Sequence, residues 1–202
     1  MYYALVSFPK ADTTSIDRLR RKYDPTVDLI EPHLTVLFPV PESLGKRELV
    51  DHCTAVLQEW RPFLVVAGQL VKTPDHWLFL TLRQGASVVT RLYRDLHSGF
   101  LADYARPELF QPHIGLGQFV KAGRRCDWNN PNEADFDEDR YAQALRKAKE
   151  LDLELSWVLD SLDLVALPDE VIAWARGSLP SYPHGARAMR AERLELGSPN
   201  MG

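Results

Sequence analysis

Two short segments of the chain place a histidine directly after a proline and inside an apolar run. The first reads Pro32-His33-Leu34-Thr35-Val36 and the second reads Pro112-His113-Ile114-Gly115-Leu116. Histidine has an ordinary pKa near neutral pH, so a pair of imidazoles can act as general base and general acid. If the two face each other, one can take a proton from water or a ribose hydroxyl while the other protonates a leaving oxygen.

The residues after each histidine indicate how a phosphate would be held. Alternate side chains of a strand share one face, so Thr35 is expected beside His33. In the second run Gly115 and Gly117 are expected beside His113. The Thr35 hydroxyl can donate a hydrogen bond to a phosphate oxygen, whereas Gly115 offers only its backbone. The other residues of the two runs are expected on the opposite, helix-covered face: Leu34, Val36, Phe38, Ile114, Leu116 and Gln118.

Other side chains could add contacts to a ligand. Lys121 and Arg124 follow the second run and could touch a phosphate or an RNA strand, although Arg124 and Arg125 also fit a solvated loop. Trp77 and Phe79 could stack on a base. Packing in the core is the commoner role for aromatic residues in a strand.

The histidine spacing does not indicate a metal site. The two Pro-His histidines are expected on separate strands, and no Cys, Asp or Glu stands at ligand spacing near them. The chemistry is therefore expected to need neither a metal nor a cofactor. The remaining histidines share no spacing and are expected on the surface or in helices: His52, His76, His97 and His184.

The predicted elements repeat along the chain, with the two histidines about 80 residues apart. Strand, helix, Pro-His strand, helix and further strands occur twice in that order. The segment Tyr3-Ala4-Leu5-Val6 corresponds to Trp77-Leu78-Phe79-Leu80, and 63–71 corresponds to 155–167. Such a repeat predicts an α+β fold with two similar lobes facing each other across a cleft. Helices are predicted at 13–21, 46–60, 88–100 and 139–151, and a last short strand at 171–176.

The repeat also divides the chain. Residues 1–180 are predicted to form a single bilobal domain of two interleaved α+β repeats. Residues 181–202 mix proline, glycine and arginine and are predicted to form a poorly ordered tail or a loosely docked helix.

Composition narrows the class of protein. The chain has 202 residues, 45% apolar and 26% charged, with a net charge of −4. A duplex-DNA binder usually carries a basic excess, so contact with nucleic acid is expected to be limited to one end or one phosphate. The isolated Cys53 and Cys126 suggest reduced thiols and a cytoplasmic location. The N-terminal residues read as a strand, no run has membrane-spanning length, and a monomer is expected.

The paired Pro-His pattern resembles the two-histidine phosphoesterase superfamily, which includes 2′-5′ RNA ligase-like proteins and cyclic nucleotide phosphodiesterases. The resemblance implies a bilobal fold of antiparallel sheets with helices outside, and one His-x-Thr/Ser motif in each lobe. It implies metal-independent action on a 2′,3′-cyclic phosphate or a 2′-5′ linkage of RNA or a nucleotide. His33 and His113 would then be catalytic and Thr35 would bind phosphate, while Gly115 departs from the Thr or Ser of the pattern.

Two other classes stay open on the sequence alone. The same cleft could bind a nucleotide or RNA end without catalysis, a reading that the missing hydroxyl at Gly115 favours. A plain interaction domain with structural histidines is the third reading. The substrate is also open, among RNA ends with cyclic phosphates, cyclic mononucleotides, 2′-5′ oligonucleotides and ADP-ribose derivatives. The sequence also leaves open whether the reaction is hydrolysis or ligation and which histidine acts as the base.

Overall fold

A computed structural model describes residues 1–124, 131–175, 182–183 and 185–197. The strands are β1 Tyr2–Ser7, β2 Leu34–Pro41, β3 Phe63–Lys72, β4 Trp77–Gln84, β5 His113–Gln118, β6 Leu155–Leu159, β7 Ser161–Leu167 and β8 Met189–Glu195. The α-helices are α1 Thr14–Tyr23, α2 Lys46–Gln58, α3 Ala86–Leu96, α4 Glu138–Glu150 and α5 Asp169–Ala175, and single 3₁₀ segments cover Glu42–Leu44, Gly99–Tyr104 and Glu133–Asp135. None of the described helices is long and apolar enough to cross a membrane.

Two antiparallel sheets of four strands form the two lobes, in the orders β2-β1-β7-β8 and β5-β4-β3-β6. Strand β2, which follows His33, and strand β5, which begins at His113, each form one edge of their sheet, and these two edges approach each other. The strand after α2, β3, pairs with β4 of the second lobe, whereas β7 returns to pair with β1 of the first. The predicted α+β, two-lobed arrangement is therefore confirmed, with β7 as the positional counterpart of β3.

The helix before each of the strands β2 and β5 packs against the other of these two strands. Helix α1, which connects β1 to β2, packs against β5, and α3, which connects β4 to β5, packs against β2. One continuous apolar core links both sheets, and Leu34 and Ile114, the residues that follow the two histidines, are fully buried in it. Burial of these large side chains fixes the two edge strands against each other.

The strand predicted at 171–176 is wrong, because residues Asp169–Ala175 form helix α5. Val171, Ile172 and Ala175 are buried, a spacing that places all three on one helical face. The helix follows Pro168 and carries Asp169 and Glu170 in its first turn, which suits the positive end of the helix dipole. Arg176 lies outside the described residues.

The prediction of a loose tail is also wrong for residues 189–195, which form β8 and pair with β7. This strand alternates weakly, with only Leu194 fully inside, and charged residues cover its outer edge, as is common for edge strands. Beyond it, Gly197 donates its N–H to the Leu57 carbonyl at 3.0 Å. A side chain at Gly197 would collide with the Gln58 carbonyl oxygen, so this glycine lets the backbone that follows β8 lie against the end of α2.

Candidate active site

Each histidine of the Pro-His pair is fixed by the backbone that precedes it. His33 stands immediately before β2 and its Nδ1 lies 2.8 Å from the Glu31 carbonyl oxygen. His113 begins β5 and its Nδ1 lies 2.5 Å from the Gln111 carbonyl oxygen. A carbonyl can only accept, so Nδ1 carries the proton in both rings. Nε2 is therefore left to accept a proton when the ring is neutral and to donate one when it is charged.

The two segments have matching environments. Residues 31–37 and 111–117 follow the same order of exposed, buried, half-buried, buried, half-buried, buried and buried positions. The half-buried positions are His33 and Thr35 in one lobe and His113 and Gly115 in the other. Because β2 and β5 adjoin, these four positions lie along two edges that face each other, and we call the space between these edges the cleft. The predicted convergence of the two histidine strands is thus present.

Surrounding protein lowers the pKa of both imidazoles to about 4, although each ring keeps some exposure to the cleft. Loss of hydration is the main cause in each case, because it disfavours the charged form. The charges of Arg20 and His113 lower the pKa of His33 further, against the Glu31 carbonyl and Asp24, which raise it. For His113 the Gln111 carbonyl and Asp75 act in the raising direction. Both rings are therefore neutral near pH 7.

A β-bulge follows each histidine at the same distance and changes the predicted side-chain directions. Leu5 lies opposite Leu37 while Val6 lies opposite Thr35, so Val36 is the extra residue in β2. Leu78 lies opposite Gly117 while Phe79 lies opposite Gly115, so Leu116 is the extra residue in β5. Bulges bend a strand and redirect the residues beyond them. Strict alternation consequently fails after the third residue of each motif.

The prediction that Gly117 lines the cleft beside His113 is wrong for this reason. Gly117 faces α1, and a Cβ there would lie 2.6 Å from Cβ of Tyr23 and 3.0 Å from its carbonyl oxygen. Glycine at this position allows α1 to approach β5 closely. It therefore supports the wall behind the histidine and does not widen the cleft.

Because of the same bulge, Gln118 shares the face of β5 that carries Gly115, whereas strict alternation predicts it on the core side. Gln118 lies directly opposite Trp77, whose ring covers the face of Gly115. Its side chain is only 7% exposed, and its Nε2 has no hydrogen-bond partner within the part of the chain that the structure describes. An unpaired buried amide is unfavourable unless something binds it. Gln118 is therefore a candidate site residue that the sequence did not reveal.

Aromatic residues form the floor beneath the second motif. The Phe79 ring stacks on the His113 imidazole with centroids 3.4 Å apart, and Phe79 is only half-buried. Trp77 is buried, and its ring carbons would lie 3.5 and 3.8 Å from a Cβ at Gly115. The expectation of core packing holds for Trp77, whereas Phe79 is a candidate site residue through its contact with His113.

The Thr35 side chain stands on the same face as His33 and is half-buried. Among the described residues its hydroxyl has no hydrogen-bond partner. Lys121 and Arg124 are engaged elsewhere: Lys121 Nζ donates to the Ala134 carbonyl at 2.9 Å, and Arg124 Nε lies 3.4 Å from Asp135 Oδ1. Both remain exposed.

Arg125, Cys126 and His184 lie outside the described residues. Within the described ranges, no group of three His, Cys, Asp or Glu side chains is placed to hold a metal ion. The other described histidines bond backbone carbonyls, and two of them, His76 and His97, are buried instead of lying at the surface.

The profile of the 2′-5′ RNA ligase superfamily matches residues 8–169. The chain belongs to this superfamily. A protein of Geobacillus thermodenitrificans named "Putative phosphoesterase" is 27% identical over 132 residues, covering 63% of this chain and 75% of its own length. A protein of the same name from Bacillus thuringiensis is 26% identical over 130 residues, with the same coverage of both chains.

Solved structures share the superfamily fold with this chain. Escherichia coli LigT complexed with NADP⁺ matches with a TM-score of 0.51 and 18% identity over 96% of both chains. LigT complexed with 3′-AMP matches with a TM-score of 0.52 and 15% identity, over 96% of this chain and 97% of LigT. A structure described as a phosphoesterase has a TM-score of 0.56 at 14% identity, covering 97% and 98%. At these identities the likeness concerns the fold.

Proposed function

We propose that this member of the 2′-5′ RNA ligase superfamily is a metal-independent phosphoesterase acting on a 2′,3′-cyclic phosphate or a 2′-5′ linkage of RNA or a nucleotide. The observation that carries the proposal is the matched pair of imidazoles. His33 and His113 occupy equivalent places at one cleft, and each has its Nδ1 proton held by a carbonyl two residues earlier. This arrangement reserves both Nε2 atoms for proton transfer.

The proposed hydrolysis of a cyclic phosphate needs one base and one acid. One neutral imidazole takes a proton from water as the water oxygen bonds to phosphorus. The phosphorus–oxygen bond to one ribose oxygen breaks, and the other imidazole, as imidazolium, gives that oxygen its proton. The product is a phosphomonoester with a free ribose hydroxyl. Because both rings are neutral near pH 7 in the free protein, the anionic phosphate has to favour protonation of one of them on binding.

The phosphate contacts differ between the lobes in this proposal. Thr35 donates its hydroxyl to one non-bridging oxygen, while Gly115 has no side chain to do the same. Gln118 is the residue that compensates, since its unpaired Nε2 is a donor on the same face of β5. Exposed Lys121 and Arg124 contribute attraction to the ligand at longer range.

The setting proposed for this activity is the cytoplasm, with the protein as a monomer and with an RNA end or nucleotide as its ligand. Cys53 is a buried free thiol, and burial raises its pKa to about 12, so it is inert and fits a reducing compartment. E. coli LigT, which shares the fold, is described in complex with 3′-AMP.

A non-catalytic binder of nucleotides or RNA ends is the second candidate. Two observations favour it: Gly115 lacks a hydroxyl, and neither imidazole is charged at neutral pH before a ligand binds. The binder and the enzyme share the same cleft and ligand. They differ only in turnover.

The deciding experiment is a turnover screen over 2′,3′-cyclic mononucleotides, 2′-5′-linked dinucleotides and short RNAs with cyclic ends, run with and without a chelator. His33→Ala and His113→Ala variants are compared with the wild type, and nucleotide affinity is measured in parallel. The enzyme proposal expects chelator-resistant turnover that both substitutions abolish. Tight nucleotide binding without turnover identifies the binder, and loss of activity with EDTA that Mg²⁺ or Mn²⁺ restores overturns metal independence.

A further inference from the structure

A buried ion pair stands behind one of the two histidines. Arg20 of α1 donates from Nε to Asp24 Oδ2 at 2.7 Å, and the two side chains are only 2% and 1% exposed. Arg20 Nη2 donates to the Ile30 carbonyl at 2.8 Å. Asp24 Oδ1 accepts from both the backbone N–H and the hydroxyl of Thr26 at 2.7 Å. The pair therefore holds the loop 24–31 at both of its ends.

This loop delivers the atom that orients His33. Ile30 is followed by Glu31, whose carbonyl accepts the Nδ1 proton of His33. The chain of contacts runs from Arg20 to the Ile30 carbonyl, across one peptide unit to Glu31, and on to the imidazole. A movement of the Ile30–Glu31 backbone would turn the His33 ring and move its Nε2 in the cleft.

Holding a loop with a buried ion pair costs free energy, because both charges lose their hydration. Burying two charges needs good geometry and full hydrogen bonding, and apolar residues of the same size often serve stability better. Arg20 is not even fully satisfied, since its buried Nη1 has no partner among the described residues. A charge retained under these conditions needs a reason beyond packing.

The loop before the second histidine is held without a buried ion pair among the described residues, because the guanidinium of Arg106 that bonds its backbone is exposed. Tyr93 of α3 accepts the Arg106 backbone N–H at its hydroxyl and stacks on Phe110 with centroids 3.9 Å apart. The charged groups that act on the two rings differ accordingly. Arg20 and Asp24 from α1 and His113 from β5 act on His33, while Asp75 acts on His113. The Glu31 carboxylate is turned outward to Arg190.

We propose that Arg20 and Asp24 are positioning residues for His33: the ion pair locks the Ile30–Glu31 backbone that orients the ring, and its balanced charge sets how readily that ring alone takes a proton. Only the expected effect on turnover rests on the proposed function. The effect on protonation is a property of the free protein and can be measured without substrate.

The test is an NMR titration of the histidine Cε1–H signals in the wild type, Arg20→Met and Asp24→Asn. Arg20→Met leaves an unpaired carboxylate near His33, so its midpoint rises; Asp24→Asn leaves an unpaired guanidinium, so its midpoint falls. A shift of about half a pH unit or more is expected in each direction. The His113 midpoint is expected to move much less than that of His33, because neither Arg20 nor Asp24 is among the groups that act on it. Arg18→Met, which removes an exposed charge from the same helix, moves neither signal.

Turnover of a cyclic nucleotide is expected to fall about tenfold or more in Arg20→Met, and Arg20→Lys recovers part of it with little change in KM. If the single variants do not fold, the double variant Arg20→Met with Asp24→Leu is tested in their place, because an apolar pair can fill the same space. This double variant is expected to fold but to lose turnover. Shifts of the same sign in both single variants, equal shifts of His33 and His113, or a folded double variant with wild-type turnover and an unmoved His33 titration would each overturn the proposal.

Discussion

The sheet faces beside the two histidines differ in what covers them. On the sheet beside His33, a small second core covers Val6, next to the half-buried Thr35, and in it Ala4 and Val165 meet the loop at Leu29 and helix α5. Beside His113, the corresponding face is covered less completely.

On that second face Phe79 lies opposite both Gly115 and Val71. Both Phe79 and Val71 are only half-buried, and Gln69 further along β3 is exposed. Two lobes with matched motifs thus offer unequal surroundings to a ligand. The part of a ligand that extends beyond the phosphate has room over the second lobe and little over the first.

Removal of either imidazole is expected to have the largest effect on turnover. If the two motifs are equivalent in chemistry, His33→Ala and His113→Ala each reduce turnover by about 10²–10⁴-fold, the usual contribution of a proton-transfer group. Steady-state rates on a 2′,3′-cyclic nucleotide measure this, with His52→Ala as the control. A residual rate near that of the wild type in one variant would show that only one lobe is catalytic.

The pH dependence of folding tests whether the two rings are equally shielded. Both have pKa values of about 4 in the folded protein, below the ordinary value of about 6.5, so the unfolded chain binds more protons between these limits. The free energy of unfolding therefore falls as pH drops from about 6.5 to about 4, by on the order of 2 kcal/mol for each histidine. Denaturant titrations at several pH values measure the fall, and His33→Gln or His113→Gln should each remove about half of it. Unequal shares would show that one ring is more accessible than the other.

The two glycines of the second motif should respond in opposite ways to a methyl group. Gly117→Ala places Cβ against Tyr23 at 2.6 Å, so the free energy of unfolding should fall by about 1–3 kcal/mol. Gly115→Ala meets only the Trp77 ring at 3.5 Å, an ordinary contact, and should change it by less than about 0.5 kcal/mol. Chemical denaturation distinguishes them. Equal destabilisation would contradict the bulge at Leu116.

That bulge marks the boundary of what the sequence could predict. The repeated Pro-His dipeptide and the apolar runs indicated two strands brought together at one cleft, because period-two patterning and a repeated order of elements are local signals. The position of an extra residue is set by pairing with β1 and β4, so the directions of Leu37, Gly117 and Gln118 were not readable.

Tertiary packing also decided the elements whose sequences are ambiguous. The segment at Val171 is short and apolar, which fits a strand or a helix equally, and its burial against the second small core selects the helix. The charged strand β8 forms because β7 offers it an edge. Arg20 and Asp24 are an ordinary i,i+4 pair in sequence, and only the fold reveals that they are buried.

Restoring the missing hydroxyl would make the two motifs more alike. Gly115→Thr places a donor two residues after His113, as Thr35 follows His33, and the space beside Trp77 accepts its Cβ. A hydrogen bond to phosphate contributes about 1–3 kcal/mol, so turnover or phosphate affinity should rise about tenfold. The same assay on Gly115→Ala separates the hydroxyl from the added bulk. A fall in both variants would instead show that the ligand uses the space of Gly115.

The smallest expected effect concerns the less covered face of the second lobe. Val71 lies beside Phe79, two strands in from the edge at His113, where a base or sugar attached to the phosphate can lie. Val71→Asn removes apolar contact there without adding charge, so the affinity for a 3′-nucleotide should fall about two- to fivefold, by roughly 0.5–1 kcal/mol. The affinity for inorganic phosphate, which reaches only the histidines, should not change.

Calorimetric titration of both ligands measures the difference. The control is Val158→Asn, an exposed change on the far edge strand of the same sheet, which should leave both affinities as they are. Equal losses for phosphate and nucleotide in Val71→Asn would mean that the substitution disturbs His113 through Phe79. Unchanged nucleotide binding would mean that the base and sugar of the bound nucleotide do not contact this face.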